Sequence, residues 1–287
     1  MKFSGFHIEP TNRCVLACAA CERTLFRNKF GDKNWHNADL DFDAFVKFID
    51  VDATGWDWEL CGNTGDPIYY NRLVELVSWI KARDGRIVMT TNGSYRSAEW
   101  WQELLPCMDS RDQILFSVDG LPTTSPIYRV NSNWGSIDQA MQLTVSSGVQ
   151  AIWKMIPFEF NEYEIDQVRD LAVSRGMQFR LDPSWRWEDV QDLKPHTQQL
   201  VKEKGLGEIA PQCSIGNRHY INAGGFYSPC CWSADHRFYH KSQFYHDRDK
   251  YDISKNTLSQ LMDHMQSFDE RVKLDPLPVC SYTCRKL

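Results

Sequence analysis

Residues 7–24 read HIEPTNRCVLACAACERT and place three cysteines, Cys14, Cys18 and Cys21, within eight residues of one another. Thiolates at this spacing can bind three irons of a [4Fe–4S] cube and leave the fourth iron without a protein ligand. A metal needs such an open position to act on a substrate, whereas a fully liganded metal is structural or only transfers electrons. The triplet therefore predicts a reactive iron–sulfur cluster, and a zinc site that recruits His7 or His36 is the alternative.

The composition limits the compartment and the partners. The chain has 287 residues, 42% of them hydrophobic, and a net charge of −6, which gives no general attraction for nucleic acid. It contains no apolar run of about 18 residues, and its first residues lack the apolar core of a signal peptide, so we expect neither a membrane span nor secretion. We therefore predict a cytoplasmic protein whose ten cysteines serve metal or redox chemistry rather than disulfides.

Short apolar runs alternate with amphipathic segments over residues 1–185. Strands that alternate with helices predict a parallel sheet built by right-handed crossovers, in which sites gather at the carboxyl ends of the strands. Six such units are too few for a closed eight-stranded barrel, so we predict an α/β fold with a partial (β/α)6 barrel. The predicted strands are 6–9, 56–61, 86–90, 113–118, 151–156 and 178–181, and the predicted helices are 43–48, 70–82, 98–105, 136–147 and 162–174.

Residues 186–287 follow a different pattern and are predicted to form a small C-terminal α+β domain. Ala223-Gly224-Gly225 indicates a β-hairpin between residues 219–222 and 226–228, because glycines favour a tight turn there. We predict helices at 197–204 and 256–268. This part is short of apolar residues, which is typical of a domain that a metal stabilises.

The first cysteine loop resembles the signature loop of the radical S-adenosylmethionine (radical SAM) enzymes, which has the same C-x3-C-x2-C spacing. Ala20 stands where that family often has an aromatic residue. The resemblance implies that the amino and carboxylate groups of S-adenosylmethionine chelate the open iron. It further implies reductive cleavage to a 5′-deoxyadenosyl radical, which abstracts hydrogen from a substrate.

Later strand ends also resemble this family. Residues 62–67, GNTGDP, are similar to its glycine–glycine–glutamate–proline motif, and residues 90–93 (TTNG) and 116–120 (FSVDG) match the ends of its third and fourth strands. The resemblance implies that Arg129 pairs with the methionyl carboxylate, a role that suits the two-pronged guanidinium. The implied cosubstrate contacts are Gly65, Asp66, Asn92, Ser117 and Arg129.

A second group of cysteines lies in the C-terminal part, in the pattern C-x11-G-x4-C followed at a distance by C-x3-C. It resembles the auxiliary-cluster extension of the SPASM and shorter Twitch subgroups, and the number of cysteines implies one further [4Fe–4S] cluster. Cys231 is left as a spare thiol or an alternative ligand, and a four-thiolate zinc site is the rival. The implied ligands are Cys213, Cys230, Cys280 and Cys284.

Together these features predict a radical SAM oxidoreductase that takes its electron from a partner such as flavodoxin or ferredoxin. An auxiliary cluster that accepts the electron of a substrate radical favours an oxidation. The first strand begins at once, without a leader-peptide-binding domain, which slightly favours a small polyol or sugar-like metabolite over a ribosomal peptide. Arg180 and Asp182 end the sixth strand and are candidates to bind polar substrate groups. A non-catalytic iron–sulfur electron carrier or a zinc-stabilised binding module is the alternative from another class.

Overall fold

The structure is a computed structural model. It describes residues 4–184, 187–203, 205–210, 219–234, 242–262, 274 and 276–286. Within these ranges the strands lie in a single eight-stranded sheet with the order β6-β5-β4-β3-β2-β1-β7-β8. The strands are β1 (Gly5–Ile8), β2 (Asp57–Leu60), β3 (Arg86–Thr91), β4 (Gln113–Ser117), β5 (Gln150–Met155), β6 (Gln178–Leu181), β7 (Tyr220–Ile221) and β8 (Tyr227–Ser228).

The first six strands are parallel and adjacent in chain order, which is the arrangement that the alternating pattern predicted. No described residue pairs β6 with β8, so the curved sheet stays open as a partial barrel. The helices that connect the strands are α1 (Glu22–Phe30), α2 (Phe42–Phe48), α3 (Leu73–Lys81), α4 (Ala98–Leu104), α5 (Ser125–Tyr128), α6 (Trp134–Ser147) and α7 (Ile165–Ser174).

Alternating residues of each strand determine what each face of the sheet contacts. Phe6 and Trp58 are almost fully buried, and their rings lie 6.1 Å apart on the helix-covered face, where Phe45 of α2 packs against Trp58. Because side chains alternate between the faces, His7 and Glu59 point to the opposite face, into the barrel lumen. The large aromatic side chains thus form the core, and most of the polar strand residues face the lumen, together with Val88 and Leu115.

Local signals explain where the helices begin and end. Asn133 caps α6 by accepting a hydrogen bond from the Ser136 backbone N–H at 2.9 Å, and Gly148 ends the helix in the left-handed conformation at φ 84°. Asp41 caps α2 in the same way through the backbone N–H groups of Asp43 and Ala44. None of the helices in the described ranges is long and apolar enough to span a bilayer.

The C-terminal part departs from the sequence prediction in two respects. The predicted hairpin at Ala223-Gly224-Gly225 is present, but β7 pairs in parallel with β1 and so extends the barrel sheet. The helix predicted at 197–204 is not formed over the described residues 197–203, which contain the 3₁₀ turn Gln198–Leu200 with no buried residue. Of the helix predicted at 256–268, residues 258–262 are helical and the remainder lies outside the described residues.

Candidate active site at the carboxyl ends of the strands

The three cysteines of the first loop lie between the end of β1 and the start of α1. Cys18 is buried, Cys14 and Cys21 are half-buried, and all three are free thiols. Cys21 directly precedes α1, and its side chain makes no capping hydrogen bond. Burial raises the pKa of the Cys14 thiol to about 12. A bound metal overcomes this effect because it deprotonates a coordinating thiol.

Donors from the end of β3 and from the end of α5 reach these sulfur atoms. The side-chain amide of Asn92, just after β3, donates to the Cys14 Sγ at 3.4 Å. The backbone N–H of Leu16 donates to the same sulfur at 3.4 Å, and Nη1 of Arg129 lies 3.9 Å from the Cys18 Sγ. Hydrogen bonds of this kind stabilise thiolates and tune an iron–sulfur cluster. The residues present therefore fit a cluster held by Cys14, Cys18 and Cys21.

Glu9 organises the turn after β2 and was not singled out as a site residue from the sequence. Its Oε1 accepts hydrogen bonds from the Thr64 backbone N–H at 2.8 Å, the Thr64 hydroxyl at 2.9 Å and the Gly65 N–H at 3.1 Å. Its Oε2 accepts one from the Tyr220 hydroxyl at 2.8 Å. A Cβ at Gly65 would overlap the Thr11 carbonyl, so the turn approaches the cysteine loop as only a glycine allows. The one sequence signal for Glu9 is its place at a strand end.

The Asp66 side chain is buried and forms hydrogen bonds with residues at the end of β3. Its carboxylate accepts hydrogen bonds from the Thr91 hydroxyl at 2.8 Å, the Asn92 N–H at 2.6 Å and the Asn92 side-chain amide at 2.5 Å. Burial raises the pKa of this carboxyl group. Asp66 therefore positions Asn92 beside Cys14.

Arg129 lies between the fourth strand end and the cysteine loop. Its Nε donates to Asp119 Oδ2 at 2.6 Å, and Asp119 also accepts a hydrogen bond from the Ile156 N–H at 2.7 Å. Asp119 is fully buried and so holds the guanidinium in place next to Cys18. Ser117, the last residue of β4, is buried one strand end away. The structure thus brings the predicted positions Gly65, Asn92, Ser117 and Arg129 to the same edge of the sheet as the cysteine triplet.

The C-terminal cysteines separate into two groups. Cys230 and Cys284 pack against the buried Cys280 in one small apolar cluster. Burial, and after it the neighbouring thiols of Cys284 and Cys230, raise the pKa of Cys280 to about 11. Cys213, predicted as the fourth ligand, lies outside the described residues.

Cys231 lies near residues at the carboxyl end of β2. Burial is the largest cause that raises the pKa of its thiol, followed by the neighbours Cys230, Glu59 and Cys61. The Asn63 side chain donates to the Cys231 carbonyl at 2.8 Å and ties this turn to the loop after β2. In the part of the chain that the structure describes, no three His, Cys, Asp or Glu side chains converge on one point as a single-ion site requires.

A cavity of about 400 Å³ occupies the barrel lumen. Its polar lining includes His7, Glu59, Thr90, Lys154 and Arg180. Asp182 accepts ion pairs from Lys154 at 3.2 Å and from Arg180 at 2.9 Å, so the end of β6 carries the polar charges that its sequence indicated. The lumen can therefore bind a polar ligand.

Known structures share this fold at low sequence identity. SuiB of Streptococcus suis, solved with bound S-adenosylmethionine, superposes with a TM-score of 0.66 over 97% of this chain and 71% of its own, at 12% identity. anSMEcpe with bound AdoMet gives 0.58 over 98% and 89% at 14% identity. BtrN in complex with AdoMet and 2-DOIA gives 0.50 over 95% and 88% at 14% identity. All three are radical SAM enzymes.

The protein has the fold of the radical SAM enzymes, and the predicted partial barrel is confirmed. One curated protein is similar in sequence, the tungsten-containing aldehyde ferredoxin oxidoreductase cofactor-modifying protein of Pyrococcus furiosus, at 28% identity over 123 residues. That match covers 42% of this chain and 32% of the relative, so the chain spans about a third of that protein's length. No model of a known protein family matches the chain.

Proposed function

We propose that this protein is a radical SAM oxidoreductase whose catalytic cluster is bound by Cys14, Cys18 and Cys21. The observation that carries the proposal is the convergence of Asn92, from the end of β3, and Arg129, from the end of α5, on the sulfur atoms of Cys14 and Cys18. An electron carrier or a zinc-stabilised module would not need the cosubstrate motifs at these strand ends. The same fold binds S-adenosylmethionine in SuiB, anSMEcpe and BtrN.

A cluster bound here supplies the electron that cleaves S-adenosylmethionine and starts radical chemistry. The chain's own residues bind and orient the cosubstrate. The turn that Glu9 holds lies against the cysteine loop and is the segment to which we assign the cosubstrate ammonium. Asp119 fixes Nε of Arg129 and Nη1 faces the Cys18 sulfur, so Nη2 is the nitrogen that we assign to the methionyl carboxylate. Ser117 and Asn92 are buried at the same edge of the sheet, and we assign them to the cosubstrate site as well.

We further propose one auxiliary [4Fe–4S] cluster, bound by Cys213, Cys230, Cys280 and Cys284. The packing of Cys230 and Cys284 around Cys280 supports this ligand set, and the neighbours of Cys231, which include Glu59 and Cys61, support Cys230 as the ligand of the adjacent pair. Cys231 neighbours both Cys230 and Glu59, and Glu59 lines the lumen. An auxiliary cluster at this site would accept the electron left on a substrate radical, which favours an oxidation.

A small polar metabolite, of the polyol or sugar type, is the substrate class that we favour. A cavity of about 400 Å³ lies within the size range of small-ligand sites, and its lining carries both acidic and basic groups. A peptide is the second candidate, because SuiB has been solved with its precursor peptide SuiA. The electron donor would be a carrier such as flavodoxin or ferredoxin, in keeping with a cytoplasmic location.

Anaerobic reconstitution tests the proposal. With both clusters present, we expect about eight irons per chain and a matching amount of sulfide. Reduction with dithionite in the presence of S-adenosylmethionine should then yield 5′-deoxyadenosine. The triple variant Cys14→Ala/Cys18→Ala/Cys21→Ala should keep about four irons and produce none. Stoichiometric zinc without cosubstrate cleavage would contradict the proposal.

A further inference from the structure

Arg23 is a buried cation beside the proposed catalytic cluster. It is the second residue of α1 and only 3% exposed. Burying a charge is unfavourable unless an opposite charge or hydrogen bonds compensate for the lost water. The partners of its guanidinium therefore indicate what this side chain is for.

The partners that the structure describes are neutral. Nη1 of Arg23 donates to the Thr64 carbonyl at 3.2 Å, and Nη2 donates to the Leu16 carbonyl. Its Nε is buried and has no hydrogen-bond partner. Within the described ranges, no carboxylate forms an ion pair with Arg23, in contrast to Arg13 and Arg129, which pair with Asp39 and Asp119.

The guanidinium lies against the cysteine loop. Leu16 joins the guanidinium and the Cys14 thiol directly, because its carbonyl accepts a hydrogen bond from Nη2 of Arg23 and its N–H donates to the Cys14 Sγ at 3.4 Å. Leu16 belongs to the cysteine loop, and Thr64 belongs to the turn that Glu9 organises. Arg23 therefore joins the two segments that the proposed function assigns to the cluster and to the cosubstrate.

We propose that Arg23 is the fixed counter-charge of the cluster bound by Cys14, Cys18 and Cys21, and that it raises the reduction potential of that cluster. This inference rests on the proposed function. Three thiolates and the iron–sulfur core carry net negative charge, and reduction adds one more negative charge. A nearby cation in a low-dielectric site stabilises the reduced form more than the oxidised form. Arginine suits this role because it stays protonated even when it is buried.

The test compares charge removal with charge retention at one position. Arg23→Gln removes the charge and keeps an amide that can reach one of the two carbonyls, whereas Arg23→Lys keeps the charge. Arg27→Gln is the matched control, because Arg27 lies one turn further along α1, is 41% exposed and pairs with Asp32 at 2.6 Å. Each variant is reconstituted with iron and sulfide, and the cluster whose electron paramagnetic resonance signal responds to S-adenosylmethionine is titrated with redox mediators.

We expect Arg23→Gln to shift the reduction equilibrium at least about tenfold toward the oxidised form, which equals a potential about 59 mV lower for one electron. Arg23→Lys and Arg27→Gln should stay close to the wild type. An unchanged potential in Arg23→Gln, or an equal shift in Arg23→Lys, would overturn the inference. If Arg23→Gln fails to retain iron, retention by Arg23→Lys supports the charge and loss from both variants overturns it. Should the wild type itself bind no cluster or cleave no cosubstrate, the proposed function fails instead.

Discussion

The two groups of cysteines differ in what surrounds their sulfur atoms. The first group follows one strand, and polar or charged groups meet it from three directions: Asn92, Arg129 and the buried Arg23. The second group comes from separate segments and packs in an apolar cluster with Val279, where the contacts to sulfur that the structure describes are with the hydroxyls of Ser233 and Thr283. The first group therefore has polar and charged surroundings, as we expect for a cluster that binds a charged cosubstrate. The second group has apolar surroundings, as we expect for a cluster with four protein ligands.

The largest expected effect is the loss of iron from the second cysteine group when Cys230, but not the adjacent Cys231, is replaced. Cys230→Ala should lower the iron content from about eight to about four per chain, because it removes a ligand that packs beside Cys280. Cys231→Ala is the matched control and should keep the iron, since its thiol neighbours Glu59 and Cys61. Iron and sulfide analysis after reconstitution measures both. Loss of iron from Cys231→Ala with retention in Cys230→Ala would reverse the assignment.

Substitution of Glu9 tests the surroundings of the first cysteine group, and its expected effect is smaller. Glu9→Ala leaves three donors of the turn and the Tyr220 hydroxyl without their acceptor, whereas Glu9→Gln keeps an oxygen for the turn. We expect the alanine variant to lose about 1–3 kcal/mol of unfolding free energy. Its affinity for S-adenosylmethionine should fall about 10–100-fold, as for other groups that orient a metal site.

Urea denaturation and calorimetric titration of the reconstituted protein measure the two effects of Glu9→Ala. Glu99→Gln, at an exposed acidic position on α4, serves as the surface control and should change neither quantity. Equal cosubstrate affinity in the alanine variant, the glutamine variant and the wild type would show that the turn does not depend on Glu9.

The sequence predicted the features that depend on local pattern. The six parallel strands were placed within one or two residues of their observed ends, because each is a short apolar run between turn residues. The helix α1 was not predicted, since Glu22–Phe30 is mostly polar and buries only Arg23. A buried arginine contributes no hydrophobic periodicity, so the pattern gave no sign of this helix.

Contacts between residues that lie far apart in the chain could not be predicted from the sequence. Glu9 meets Thr64 across 55 positions, and Asp119 fixes Arg129 only because the chain turns back after β4. Likewise, adjacent cysteines cannot be told apart by spacing. At the start of the 3₁₀ turn Cys231–Ala234, Cys230 packs in the apolar cluster that contains Cys280, whereas the neighbours of Cys231 include Glu59 and Cys61. The direction of a side chain in such a turn depends on packing that a single sequence does not display.

In the proposed function, the cluster at Cys14, Cys18 and Cys21 has one iron without a protein ligand, whereas every iron of the C-terminal cluster has one. The most direct measurement is the electron paramagnetic resonance spectrum of the dithionite-reduced protein before and after S-adenosylmethionine is added. We expect the cosubstrate to change the spectrum of the wild type and to leave that of the Cys14→Ala/Cys18→Ala/Cys21→Ala variant unchanged. A cosubstrate-dependent change in the triple variant, or none in the reconstituted wild type, would contradict the proposed function.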